Sequence, residues 1–295
     1  MSKSADTEKK NYIYIKRFLC FSYIIFVALL LFSAVLPLIA DILSEKEISL
    51  GDWGAFIILV FAETLAFIII MSVISNRLYN KRVIPLLNVK CDPQSFTEAN
   101  MQFIRGKSNK ASAAITNSNI ALGEFYMGNA EKAISIMNSI IYSDAFSKSN
   151  KLVKAHCLIN LVVYMMESDP DGNIESIDRI MNEIHGLCAD IQPTRMSAMK
   201  LDKRIESIDR TYAYIKGNSE GYEAYLIKSF NEEDYSNNIF GRVNVAFSLV
   251  EYYKRAGNAQ EMIKYADFVI ANGNKLYFVP IASEWKRQAE IKTEQ

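Results

Sequence analysis

The sequence is short of the residues that build reactive sites. It holds only 2 histidines and 4 cysteines in 295 residues. Two histidines leave few candidates for imidazole acid–base work. Four cysteines are too few for a disulfide scaffold, and none stands in a Cys-x-x-Cys pair. The glycine signatures of nucleotide binding are missing: there is no Gly-x4-Gly-Lys-Ser/Thr loop and no Gly-x-Gly-x-x-Gly after a strand. Neither a His-Glu-x-x-His nor a Gly-x-Ser-x-Gly elbow occurs. We therefore expect no enzyme, no cofactor and no metal site.

An excess of either charge is also lacking. Lys plus Arg is 33 and Asp plus Glu is 33, for a net charge of zero. Six of the basic and seven of the acidic residues fall in the first 75, which leaves 27 against 26 beyond. That balance offers no basic surface for nucleic acid phosphates. An apolar content of 50% excludes intrinsic disorder.

The apolar residues are unevenly spread. Phe18–Ala40 is a run of 23 without a charge, and Trp53–Ser75 is a run of 23 with one, Glu63. A helix needs about 20 apolar residues to cross a bilayer. The first run is too long, and Leu36-Pro37-Leu38-Ile39-Ala40 too bulky, for a cleaved signal peptide. We expect a transmembrane hairpin over 18–75, with helices at 18–40 and 53–75 and a short extracytoplasmic loop at 41–52. The N-terminal flank carries Lys3, Lys9, Lys10, Lys16 and Arg17, and the exit carries Arg77, Lys81 and Arg82, while the loop has only Lys46. Positive charge stays inside. The expected location is thus the plasma membrane, multi-pass, with residues 1–17 and the C-terminal region cytoplasmic.

Glu63 sits near the expected midplane, where a carboxylate is protonated, paired or turned toward protein. It reads as an intramembrane polar site for packing or assembly, or for transport. Ala55, Ala62 and Ala66 give the same helix a small-residue face, so a second copy or a partner membrane helix could pack there.

Residues 76–92 read as a juxtamembrane linker broken by Pro85, and 93–295 as an all-α domain. Its helices come in pairs: 109–127 with 130–141, 149–166 with 174–187, 194–215 with 220–230, and 238–256 with 260–271. A closing helix spans 280–290. Breakers separate them at Gly128, Asp169-Pro170-Asp171-Gly172, Gln192-Pro193, Gly217-Asn218 and Gly257. Asp169 or a neighbour caps the following helix; glycine falls too early there for a calcium loop.

In the stretch Asn119–Ile134, Ala121 takes a small position in a first helix, Gly128 the turn, and Ala133 a small position in a second helix. Leu249–Ile263 repeats the pattern with Tyr253 as the aromatic and Gly257 as the turn glycine, but Met262 where a small residue is expected. These positions resemble the tetratricopeptide repeat (TPR), a helix–turn–helix unit. The resemblance implies a TPR-like α-solenoid of about four helix pairs that binds proteins. The two middle pairs match poorly, and an irregular helical bundle would also carry two such turns.

His156, Cys157, His185 and Cys188 form a zinc-compatible set. His156 and Cys157 are adjacent on one helix and diverge by about 100°, so packing is the better reading. The C-terminal third is rich in tyrosine, which serves both core and partner contacts. The sequence points to a membrane-anchored scaffold for a cytoplasmic protein or peptide. The alternative is an accessory subunit of a membrane transport or export complex using Glu63.

Overall fold

The computed structural model describes residues 21–28, 39, 43, 50–104, 110–142, 146, 151–198, 200–232 and 238–293. The N-terminal tail, most of the first apolar run and most of the loop lie outside them. Every regular element among the described residues is a helix. The chain divides into two compact units, residues 1–84 and 85–295.

In the first unit, residues 21–28 are helical. Helix α1 spans Leu50–Arg82. It therefore starts before Trp53 and continues past Ser75, with Lys81 and Arg82 in its last turn, where cations suit the C-terminal dipole. Phe26 stacks on Phe67 with ring centroids 3.8 Å apart. Ile57, Ile58, Phe61, Leu65, Ile68, Ile69 and Ile70 of α1 are all exposed. Among the described residues one helix is long and apolar enough to cross a membrane, and the qualifying span is Val60–Asn88.

A short helix, α2 (Ile84–Asn88), follows. Pro85 has no N–H to continue α1, which accounts for the break at Val83. Asp92 then caps α3 (Pro93–Ile104), accepting from the Ser95 amide at 3.1 Å. This helix precedes the first expected pair and packs on α4 (Lys110–Tyr126). The rest of the second unit is α5 (Ala130–Ile141), α6 (Lys151–Ser168), α7 (Pro170–Ala189), α8 (Pro193–Ala198), α9 (Leu201–Ile215), α10 (Tyr222–Asn231), α11 (Ile239–Ala256), α12 (Ala259–Asn272) and α13 (Val279–Thr293).

The expected helix over 194–215 is broken into α8 and α9. Lys200 takes a left-handed conformation (φ 51°), which no helix interior accepts, and the break seats Leu201 in the core at 1% exposure. Elsewhere in this unit the expected boundaries hold within about three residues except at α7, which starts at Pro170 rather than 174, so that Asp171 and Gly172 lie inside the helix instead of breaking it. Asp169 caps α7 by accepting from the Gly172 amide at 3.0 Å, with Pro170 at the first helical position.

The turns after α4, α9 and α11 share one construction. Asn129 N donates to Glu124 O and Gly128 N to Phe125 O; Asn218 and Gly217, and Asn258 and Gly257, do the same to their own helices. This paired bonding is a Schellman closure, which requires a left-handed residue. Gly128 (φ 90°), Gly217 (φ 93°) and Gly257 (φ 72°) supply it. The turn of the third pair, at Gly217, thus belongs with the two that the sequence pattern singles out, although that middle pair was read as lacking the turn glycine.

Packing runs along the chain: α3 on α4, α4 on α5, α5 on α6, α6 on α7, then α9 on α6, and α10 to α13 in series. Helix α6 is buried nearly all round, through Ala155, Cys157 to Val162 and Tyr164 to Met166, as expected of a central helix. The two ends of the unit also meet. Tyr277 N donates to Tyr126 O (3.0 Å), and Lys275 N donates to Cys91 O (3.2 Å). Lys275 Nζ pairs with Asp92 at 2.5 Å. Tyr126 packs edge-on against Phe240 and Phe278. In a linear solenoid each repeat touches its neighbours alone; here early and late segments of the unit are in direct contact.

Candidate functional site

The positions singled out by the repeat pattern are structural. Ala121 and Ala133 are fully buried on the packed pair α4 and α5, where a missing side chain lets the helices approach. Tyr253 is buried, donates to Glu223 Oε1 at 2.7 Å and stacks on Tyr265. Met262, which takes the place of the expected small residue, is itself buried. Glu63 lies in the first unit on α1 and is half-exposed.

The two histidines go separate ways. His185 Nε2 lies 3.0 Å from Asp209 Oδ1. His156 Nδ1 accepts from Arg204 Nη1 at 2.6 Å, while Arg204 Nη2 donates to Asn160 Oδ1 at 2.6 Å. Burial, and then the guanidinium charge, hold His156 down to about 3, so it is a neutral acceptor. Among the described residues no group of three or more His, Cys, Asp or Glu gathers in a metal-holding arrangement. Burial pushes the thiols of Cys91 and Cys157 up to about 11, which makes them poor nucleophiles.

A different group of residues surrounds a cavity of about 710 Å³. Helix α6 contributes Val163, Met166 and Glu167; α9 contributes Arg204, Ile208 and Tyr214; α10 contributes Tyr222 and Leu226; α11 contributes Asn244, Glu251 and Tyr252. The periodicity explains the arrangement. Glu167 closes the apolar stretch Tyr164-Met165-Met166, and Glu251 follows Leu249-Val250, so each helix that buries its stripe aims one carboxylate inward.

Glu167 lines the cavity with its side chain exposed there, in a partial enclosure of protein that desolvates the carboxyl. That enclosure, and then the charge of Glu251, raise its carboxyl to about 8. Glu251 is raised as well, by enclosure, against the lowering influence of Arg255 and Lys254. Arg204 is lowered by the same desolvation. Among the described residues neither carboxylate, nor Arg204, forms an ion pair.

Tyrosines form much of the wall. Tyr214 stacks on Tyr222 at 4.4 Å, and Tyr252 lies 5.9 Å from Tyr214 and 6.3 Å from Tyr222. Asn244 Nδ2 donates to Tyr126 Oη at 3.0 Å, while its Oδ1 is buried with no hydrogen-bond partner. The Tyr164 hydroxyl is likewise buried without one. Lys200, Lys203, Lys228, Arg255 and Glu206 are exposed and line the same cavity, as does Glu232, which pairs with Lys203 at 3.3 Å.

Sequence reasoning passed over Glu167, Arg204 and Glu251. The available signal was a lone carboxylate at the end of an apolar helical stripe, on α6 and again on α11. Compared with protein-family models, with curated proteins and with solved structures, the chain finds no match.

Proposed function

We propose that the chain is a membrane-anchored scaffold whose TPR-like helical unit binds a cytoplasmic protein or peptide. The observation that carries this reading is the cavity lined by several tyrosines in an all-helical unit, joined in one chain to α1 with its exposed apolar face. A helix that exposes a broad face of isoleucine and phenylalanine is at home in lipid rather than water. The stack of Phe26 on Phe67 supports a hairpin of the two apolar runs. The cations flanking both runs favour cytoplasmic ends.

Two experiments test this. In inside-out membrane vesicles, added protease should digest the helical unit, and in right-side-out vesicles it should spare it; the reverse pattern overturns the topology. The full-length chain in mild detergent should retain protein partners identified by mass spectrometry. Those partners should be lost from a Ser248→Trp variant, which fills the cavity while keeping the helical circular dichroism. Unchanged partners would remove the cavity from the function.

A further inference from the structure

We propose that residues 90–92 and 274–275 form a releasable clasp, a device by which a pull on α1 opens the helical unit where its first and last segments meet. The two sides are short and continuous. Asn274 Nδ2 donates to Lys90 O at 2.7 Å, Lys275 N donates to Cys91 O at 3.2 Å, and Lys275 Nζ pairs with Asp92 at 2.5 Å. Two successive residues thus hold three successive residues. Bonds so closely spaced part together, so the clasp opens as one local element rather than bond by bond.

The joint is built to yield on its outer side. Cys91 and Asn274, one from each side, both take a left-handed backbone with φ 48°. Asparagine tolerates that conformation and cysteine does not. Such a conformation persists only while its surroundings enforce it. The Lys275 side chain is 52% exposed and the Asn274 bond lies at the surface, so water can take over these bonds. The inner side is dry. Leu276 and Phe278 are buried, and Phe278 stacks on Phe247 at 4.4 Å. The outer bonds therefore part first, while Phe278 keeps its place in the core.

The clasp also lies where a pull arrives. Helix α1 runs into α2 across the single residue Val83, and Lys90 follows the end of α2 by two residues. Leu86 and Leu87 are buried, so this stretch is not a slack tether. A load carried along the backbone from α1 meets residues 90–92 before it reaches α3. The source of the load rests on the membrane-anchored reading; the clasp itself does not. Cys91 reports the state of the joint, because its thiol is enclosed while the clasp is shut. Cys157 in α6 is buried to the same degree, and burial pushes both thiols up to about 11, so the two have matched intrinsic reactivity.

The test is the rate of N-ethylmaleimide modification at each cysteine of the full-length chain, read by peptide mass spectrometry. In the wild type Cys91 should react at least about fivefold faster than Cys157, the mark of local rather than global opening. Lys275→Met should raise the Cys91 rate a further fivefold or so and leave Cys157 unchanged, while Lys275→Arg should stay near the wild type. Equal rates at the two cysteines, or a parallel rise of both in Lys275→Met, overturn the clasp. Bilayer nanodiscs of short-chain and long-chain phosphatidylcholine vary the load on α1 through thickness mismatch. The Cys91 rate should differ between them by at least about threefold. A flexible glycine–serine insert after Val83 should erase that difference. Equal Cys91 rates in the two bilayers, or a difference that survives the insert, overturn the coupling to α1. Failure of the vesicle protease test with the Lys275→Met effect intact discards the membrane-anchored reading and keeps the clasp.

Discussion

The carbonyl of Tyr126 accepts the amide of Tyr277 at 3.0 Å, although the two come from opposite ends of the helical unit. Asp92 and Lys275 repeat the junction with charges, at 2.5 Å. The closure has its own pH signature. Burial tends to raise the Asp92 carboxyl, but hydrogen bonds from Lys275 and Ser95 and the Lys275 charge outweigh it, so the net shift is downward. A depressed carboxylate contributes stability that is present above its unfolded value, near pH 4, and lost as pH falls through the folded value. Asp92→Asn should therefore lower stability by about 1–3 kcal/mol at pH 7 and converge on the wild type below about pH 3. Thermal melts of both proteins at the two pH values check this.

Glu167 should behave in the opposite sense. Its carboxyl is raised to about 8, so between its unfolded value and pH 8 the native state holds a proton that the unfolded chain has lost. Stability should fall as pH climbs through that window and level off above it. Glu167→Gln should flatten the slope and be the more stable protein at pH 8.5. Because cavity solvent screens the group, the gain is expected at about 1 kcal/mol. Urea unfolding between pH 5 and pH 9 measures it; a wild type whose stability rises over that window contradicts the assignment.

Arg204 donates to both His156 and Asn160, and its charge adds to burial in keeping His156 neutral. Arg204→Met should destabilise by about 1–3 kcal/mol, since two buried acceptors lose their donor. It should also raise the His156 value from about 3 toward the ordinary imidazole range, while burial keeps it below that range. With only 2 histidines in the chain, an NMR titration of the ring protons resolves the shift directly.

The turn glycines should differ in tolerance. Alanine at either position must hold a left-handed backbone, which costs about 1–2 kcal/mol. At Gly257 an added Cβ meets open space, whereas at Gly128 it comes within 3.3 Å of the Tyr277 Cβ. Gly128→Ala should therefore lower the melting temperature more than Gly257→Ala. Parallel melts at one pH decide the order, and equal losses would show that the junction at Tyr277 yields freely.

The helical pairs were legible because each signal is local. Asp169-Pro170 reads as a cap, Gly128-Asn129 and Gly257-Asn258 read as closures, and apolar spacing does the rest. Lys200 was not legible: nothing in the residues around it favours a left-handed bend, and burial of Leu201 dictates the break. Helix α3 carries the same Asp-Pro start, at Asp92-Pro93, and that signal was passed over. The candidate site was the least legible of all. Glu167 and Glu251 acquire meaning from facing each other across a cavity, and Arg204 from neutral neighbours on another helix. Long-range pairings of that kind leave no periodic trace.

The meeting of Tyr126 with Tyr277 also bears on how the chain is made. During synthesis α3 and α4 leave the ribosome long before residues 274–278 exist to cover Cys91, Phe125 and Tyr126. Those surfaces must wait uncovered, or be shielded by other means, until the final helices arrive. A linear repeat array folds outward from any repeat; this helical unit is expected to lock late, with its last segment as the latch.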